Sequence, residues 1–452
     1  MEIFENSNFV DRKPSHEKFF SALVGLLFCT VFNAQALGAS ELIFDYEAIN
    51  SNYTALNVAL VTANGQLWYA VEWMDDTTDE PVLDLFWDDN TTITRKTLTS
   101  AGDLAAGNAM YPAIVTWGTH QYVYVAGKVD ANPTSPQLKF FRQDRDDFSI
   151  VESTTTLGNA PVGVEHSRPH LAYDEDMGSG LGTNQMYACW TAKNAGEEDV
   201  KSKAKPSDIA WRKVHSLHEV SAQVAVTEDH CEQSFNHMGD RYTVYHKNDG
   251  GNSTWVHVDH WDFSTNTWTD HVDFELLNES NTRAITNFPS IATSIDAGNT
   301  HHLIVAKRQV AAFDLISWTC DATTAGDCES ESDWTYLRQD LRGSVFAPKA
   351  VVYNDDRYVL YEDRAGAPTL RLYKMCSGDT TWTEVGEIPE PDVSHNGVRE
   401  FNADINSSAV STFTVDRNNE ILHAIFVALK NTTSSYNPAH WELDISGGCA
   451  SL

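Results

Sequence analysis

Gln66–Trp73, QLWYAVEW, is an apolar run with aromatic and β-branched residues, bounded by Asn-Gly before it and acids after it. Such a run reads as a buried strand, and it returns six more times. QYVYVAGK ends at Lys128, QMYACWTAK at Lys193, RYTVYHK at Lys247 and HHLIVAKR at Arg308. RYVLYEDR ends at Arg364 and ILHAIFVALK at Lys430. Successive copies lie roughly 60 residues apart, the length of a propeller blade of four antiparallel strands with its loops.

The neighbours of each copy supply the rest of a blade. Upstream lies a short strand, often led by Pro: YPAIVTW (111–117), RPHLAYD (168–174), FPSIATS (288–294) and APKAVVY (347–353). Downstream come a third strand (LKFFRQD, IAWRKVH, LRLYKMC) and a fourth, often opened by Trp (TWTDHVDF, DWTYLRQ, TWTEVGEI). Helical periodicity is absent beyond the N-terminal apolar run, and turn residues punctuate the chain throughout. Two separate sandwiches would explain the strands but not their even spacing. The expectation is an all-β, seven-bladed β-propeller of four-stranded antiparallel blades. After Lys430 only one more strand, NPAHWELDI, precedes the last residues, so the last blade lacks an outer strand. ELIFDYEAI (41–49) is its expected donor, pairing with 438–445 and closing the ring.

The N-terminus reads as an export signal over 1–36. Arg12, Lys13 and Lys18 precede the apolar run FFSALVGLLFCTVF, and Ala34-Gln-Ala36 supplies a small-x-small cleavage site. The run is short for a membrane span. Residues 37–452 are then one exported domain, secreted or periplasmic. Of the seven cysteines, Cys29 leaves with the signal, and an even number remains for disulfides. Cys320–Cys328 would close a hairpin loop. Cys189–Cys231 with Cys376–Cys449 is one of three pairings of the other four.

The 452-residue chain carries 31 Lys+Arg against 64 Asp+Glu, a formal charge of −33. So acidic a surface excludes a general nucleic-acid binder and disfavours anionic membranes. Its few cations are not scattered. Six of the seven repeated strands end in Lys or Arg: Lys128, Lys193, Lys247, Lys307 with Arg308, Arg364 and Lys430. In a propeller the innermost strand descends along the central channel and the second returns, so its end meets the start of the first at one rim. Arg168 starts one inner strand there, Tyr111 leads another, and Arg399 precedes the last. Lys201, Lys203 and Lys205 follow in the third blade. A cationic mouth on a negative body would focus anionic ligands.

Histidines sharpen that rim. In VEHSRPHLAY (164–173), His166, Arg168 and His170 fall at every second position, which in an unbroken strand is one face. His230 and His237 bracket the next inner strand, and Tyr245-His246 closes its partner. A cluster of His, Arg and Tyr on one rim points to a reactive site, whereas a lone His is more often structural. Glu165, Glu232, Glu362 and Asp363 are the rim carboxylates. Glu362-Asp363 would serve glycoside hydrolysis only with a partner across the scissile bond. YDEDMGSGLG (173–182) is a loose calcium-loop pattern on the opposite face. Glu165 with the neighbouring His would suit a metal.

With an export signal, seven repeats and this rim, the chain resembles secreted seven-bladed β-propeller polysaccharide lyases of the ulvan lyase type. Those enzymes work with His, Tyr and Arg on the channel rim, and the matching residue types are His166, Arg168, His170, Tyr245 and His246. The resemblance implies β-elimination on an anionic, uronate-containing, ulvan-like glycan, with or without sulfate; a monomer is expected. Lys128, Lys193, Lys247, Arg308, Arg364, Tyr111 and Arg399 would be its binding residues. No cofactor is required for that chemistry; a structural Ca or Zn ion is compatible with it. Sialidase-like propellers are the second resemblance. Their turn has the form Ser-x-Asp-x-Gly-x-x-Trp; SGDTTW (377–382) and STNTW (264–268) are degenerate versions lacking the Gly. A glycoside hydrolase and a noncatalytic glycan-binding propeller are the alternatives to the lyase.

Overall fold

The computed structural model describes residues 37–99 except 64 and 90, then 112–116, 122–129, 137–144, 150–156, 164–173, 186–194, 197–205 and 212–219. It continues with 231–235, 240–248, 254–262, 274–278, 280, 286–296 and 299–308. From 314 to 452 it omits 325, 326, 329, 342, 366, 367, 399–409 and 434. The proposed signal peptide lies outside the described residues. Among those described there is no α-helix, and no helix long and apolar enough to cross a membrane.

The strands form seven antiparallel sheets among the described residues, numbered I to VII along the chain. Sheets I to VI each run in simple chain order, four strands apiece, from an inner to an outer edge. Every repeated apolar run is the second strand of its sheet: Gln66–Asp75, Tyr122–Val129, Met186–Asn194, Asp240–Asn248, Asn299–Arg308, Asp356–Asp363 and Ile421–Lys430. The inner strands are Tyr53–Ala63, Ala113–Thr116, Val164–Tyr173, Cys231–Phe235, Thr286–Asp296 and Val345–Tyr353. In sheet VII the inner strand is split into His395–Val398 and Val410–Asp416, both paired with Ile421–Lys430.

Why the second strand is apolar without alternation follows from its packing. Leu303 and Val305 join a core with Val345, Val352 and Tyr361 of sheet VI, whereas Ile304 and Ala306 join a second core with Leu276, next to the last strand of sheet IV. Likewise Ile425 and Val427 face sheet I, and Ala424 and Phe426 face sheet VI. Successive residues of a strand point to opposite faces, so a strand with a neighbouring sheet on each face must be apolar at every position. The outer strands Ile93–Thr97 and Thr383–Glu387 have no such cover and are mostly exposed or half-buried.

The inner strands carry a recurrent irregularity. Register shifts fall between Ala55 and Asn57, Ser167 and His170, Asn287 and Ser290, Phe346 and Lys349, and Val410 and Thr412. In three of these the bulge contains Pro169, Pro289 or Pro348. Proline has no N–H to give to the ladder, so it is accommodated where one extra residue leaves the pairing.

Sheet VII is completed by the N-terminal segment. Ala39–Leu42 pairs antiparallel with Ala439–Glu442 of the strand Tyr436–Asp444. The partner is the expected one, but the strand is shorter and earlier than 41–49. Asp45 ends it by capping a 3-10 turn at Tyr46–Ala48, accepting from the Ala48 N–H. Tyr46 is fully buried and donates to Asp84 of sheet I at 2.8 Å. Two disulfides, Cys320–Cys328 and Cys376–Cys449, agree with the sequence reading. The side chains of Cys189 and Cys231 lie outside the description.

Candidate functional site

Each inner strand packs beside the inner strand of the next sheet, and Val410–Asp416 of sheet VII packs beside Tyr53–Ala63 of sheet I. Between them lies a cavity of about 340 Å³. Its wall comes from six sheets: Leu60, Ile114, His170, Ser290, Lys349 and Thr412 are among the lining residues, one from each. Inner strands present unpaired backbone groups to such a space, and side chains meet them. Ser290 Oγ accepts from the Ala350 N–H at 3.2 Å, and Thr412 Oγ1 from the Leu60 N–H at 3.1 Å. Both bonds join adjacent sheets.

His170, Ser290, Lys349 and Thr412 hold one structural position, the first paired residue after the bulge. The sequence reading singled out His170 and missed Lys349. The signal was present: Pro169-His170, Pro289-Ser290 and Pro348-Lys349 repeat the order proline then polar residue. His170 is half-buried in the cavity wall. The bulge has a further consequence. His166 pairs with Ala192 and His170 with Cys189, so two residues, Arg168 and Pro169, oppose Trp190 alone. The two-residue alternation over 166–170 is therefore interrupted, and positions 166 and 170 are out of phase.

The second expected cluster sits in the adjoining sheet. Tyr245 pairs with Cys231 and His257, His246 with Val256, and Lys247 with Trp255. The inner strand Cys231–Phe235 packs against both Val164–Tyr173 and Met186–Asn194. Positions 168 and 170 and positions 245 and 246 thus belong to neighbouring sheets. The same register sets strand starts against strand ends elsewhere: Glu165 opposes Lys193 and Thr286 opposes Arg308. Lys128 occupies the end of Tyr122–Val129. Of these strand-end cations, and of His166, Arg168, Tyr245 and His246, the described structure fixes the backbone position. Tyr111, His230, His237, Glu165's metal-binding role, the calcium-like turn and Arg399 lie outside what is described.

Where rim cations are described in full, they have partners. Arg364 Nε donates to Glu362 Oε1 at 2.7 Å, and its guanidinium lies 3.2 Å from the centroid of the Phe346 ring. Lys307 Nζ approaches the same ring at 5.3 Å. Burial, then the neighbouring Arg364 charge, lowers the Lys307 pKa, against an opposing effect of Glu362. Lys430 bridges Asp45 at 3.2 Å and Glu47 at 2.7 Å, both from the N-terminal segment. The hydrogen bond to Glu47 leads in raising its pKa.

Glu362 and Asp363 are committed as well. Consecutive strand residues face opposite sides of a sheet, so they do not form a carboxylate pair. Asp363 is buried and accepts from the Ser344 and Ala365 N–H groups and from Arg371 Nε at 2.7 Å. The SGDTTW turn is structural in the same way. Trp382 is buried, donates its indole N–H to Ser317 of sheet V, and exchanges backbone bonds with the Gln339 amide. STNTW lies outside the described residues.

No protein-family model matches the chain, and no curated protein matches it in sequence. Among solved structures the chain is similar in fold to the polysaccharide lyase Uly1, at 7% identity over 85% of this chain and 89% of that one, with a TM-score of 0.53. An α-L-arabinofuranosidase from Fusarium graminearum matches at 13% identity over 75% and 98% of the two chains, TM-score 0.48. A Trypanosoma rangeli sialidase matches at 10% identity over 74% and 54%, TM-score 0.41. The likeness is one of fold: an all-β chain of four-stranded antiparallel sheets, similar to a propeller lyase.

Proposed function

We propose that the seven sheets are blades of a propeller closed by the N-terminal strand, and that the protein is an exported polysaccharide lyase. Its substrate is an anionic, uronate-containing, ulvan-like glycan, engaged at the mouth of the central cavity. The observation that carries the reading is His170, half-buried in the cavity wall, on a strand packed against the sheet of Tyr245 and His246. The fold likeness to a polysaccharide lyase supports it. So does the commitment of Glu362 and Asp363 to buried internal bonds, which leaves that pair unsuited to hydrolysis.

Elimination from a 4-linked uronate removes the proton beside the carboxylate. The electron pair of that C–H bond becomes a carbon–carbon double bond as the bond to the leaving oxygen breaks, and that oxygen takes a proton. The developing second negative charge is the obstacle. Arg168 neutralises the carboxylate. His170 serves as base or second clamp, and Tyr245 delivers the proton to the leaving oxygen. Lys128, Lys193, Lys247 and Arg308, with Tyr111 and Arg399, hold flanking sulfates and uronates, whereas Arg364 is taken up by Glu362.

The test is incubation with a panel of uronic-acid polysaccharides, read by the ultraviolet absorbance of the unsaturated product. Losing one charge-neutralising contact costs on the order of 3 kcal/mol, about a hundredfold in rate. Arg168→Ala and His170→Ala should each lose that much while remaining folded. Full activity in either folded variant rejects the site. Chain shortening without the absorbing product identifies a hydrolase, and binding without shortening a lectin-like propeller.

A further inference from the structure

Far from His170 in sequence, one face of sheet VII gathers a second group of histidines. His423, on the second strand, lies directly across from Glu442, and His440 is two residues before Glu442 on the same strand. Residues two apart on a strand, and residues paired across an antiparallel ladder, share a face. All three side chains therefore converge, and one ligand atom from each lies within 4.8 Å of the others. His423 Nδ1 and His440 Nε2 are 2.9 Å apart, their rings stacked at 5.1 Å. Both histidines are buried, whereas Glu442 is exposed and opens the group to solvent.

From these positions we propose that His423, His440 and Glu442 form a zinc site that clamps the last sheet to the N-terminal strand. Two imidazoles and a carboxylate are a donor set suited to zinc. With Zn–N bonds of about 2.0–2.1 Å, nitrogens 2.9 Å apart already subtend nearly a right angle at the ion. Opening them by a few tenths of an ångström reaches tetrahedral geometry, with water as fourth ligand. A carboxylate also stands near the second histidine, a little beyond hydrogen-bond distance. Glu41 of the N-terminal strand pairs with His440, and its carboxylate lies 3.7 Å from His440 Nδ1. A carboxylate behind a ligating histidine fixes the tautomer that offers the other nitrogen to the metal. The clamp joins three strands, Ala39–Leu42, Tyr436–Asp444 and Ile421–Lys430, and does not depend on the lyase reading.

The experiment strips the full chain with a chelator, then titrates it with zinc sulfate by calorimetry, with metal content measured after gel filtration. Cobalt chloride provides a visible-absorption check on the unmodified protein. One ion per chain is expected, with a rise in melting temperature. His423→Ala and His440→Ala should abolish binding. Glu442→Gln and Glu41→Gln, both at exposed positions, should weaken it roughly 10–100-fold. His170→Ala should keep its ion. No stoichiometric uptake by the unmodified chain overturns the site, as does unchanged affinity in Glu442→Gln together with Glu41→Gln.

Discussion

Asp363 shows how a residue chosen for its charge serves the fold. Burial raises its pKa, but the Arg371 hydrogen bond and the two backbone N–H donors outweigh burial, and the net shift is downward. A carboxyl held below its unfolded value contributes stability that is present above that value and lost as pH falls through the folded one. The window therefore lies below the usual carboxylate pKa of about 4. Asp363→Asn should cost on the order of 2 kcal/mol at neutral pH, the worth of hydrogen bonds to a charged group. Thermal melts from about pH 6 to about pH 2 should show a smaller acid-induced drop in the variant than in the parent chain. Parallel curves would assign the acid sensitivity elsewhere. Gly38 is a second case. Its φ of +66° suits glycine, and a Cβ there would run into the Glu442 carbonyl. Gly38→Ala should therefore release the N-terminal strand, seen as faster amide exchange at Ala39–Leu42 with the other strands of sheet VII less affected.

At the scale of the element, the inner strand with its bulge explains what the sequence could and could not reveal. The second strands were legible because cover on both faces leaves one solution, an unbroken apolar run. The inner strands were legible as strands but not in phase. VEHSRPHLAY alternates on paper, yet Pro169 forces an extra residue into the pairing and shifts His170 relative to His166. The acids facing Lys430 were hidden for a different reason. Asp45 and Glu47 reach it only because the N-terminal segment docks on the last sheet, a contact that no local pattern encodes. Lys349 was overlooked because a lone lysine in a strand signals nothing until its equivalence to His170 is known. At Ser290 and Thr412 that position sets a hydroxyl against the neighbouring sheet's backbone. Ser290→Ala and Thr412→Val should each leave an inner-strand N–H without its partner, at about 1 kcal/mol. The loss should appear as faster amide exchange at Ala350 and Leu60 respectively. Protection unchanged at both would mean these bonds do not hold the sheets together.

Across the whole molecule, ends distant in sequence are tied to the body at several points. Trp441 donates its indole N–H to the Leu37 carbonyl, and Lys374 of sheet VI donates to the Cys449 carbonyl. Cys376–Cys449 adds a covalent link over a separation of 73 residues, whereas Cys320–Cys328 spans only 8. The chain-entropy account of disulfides makes these unequal. Closing a 15-residue loop is worth about 3 kcal/mol and a 100-residue loop about 4.7 kcal/mol, because the longer loop removes more freedom from the unfolded chain. The short bridge lies below that interval and the long one near its top. Cys376→Ala with Cys449→Ala should therefore lower stability by more than Cys320→Ala with Cys328→Ala, by about 2 kcal/mol in denaturant melts. The longer link should also matter more in refolding, because it would hold the C-terminal residues beside sheet VI as the N-terminal strand docks on sheet VII. Refolding of the Cys376→Ala, Cys449→Ala variant should accordingly be slower and yield less native protein. Equal losses from the two pairs would mean that noncovalent contacts such as Lys374 with the Cys449 carbonyl already hold the C-terminus, leaving the bridge redundant.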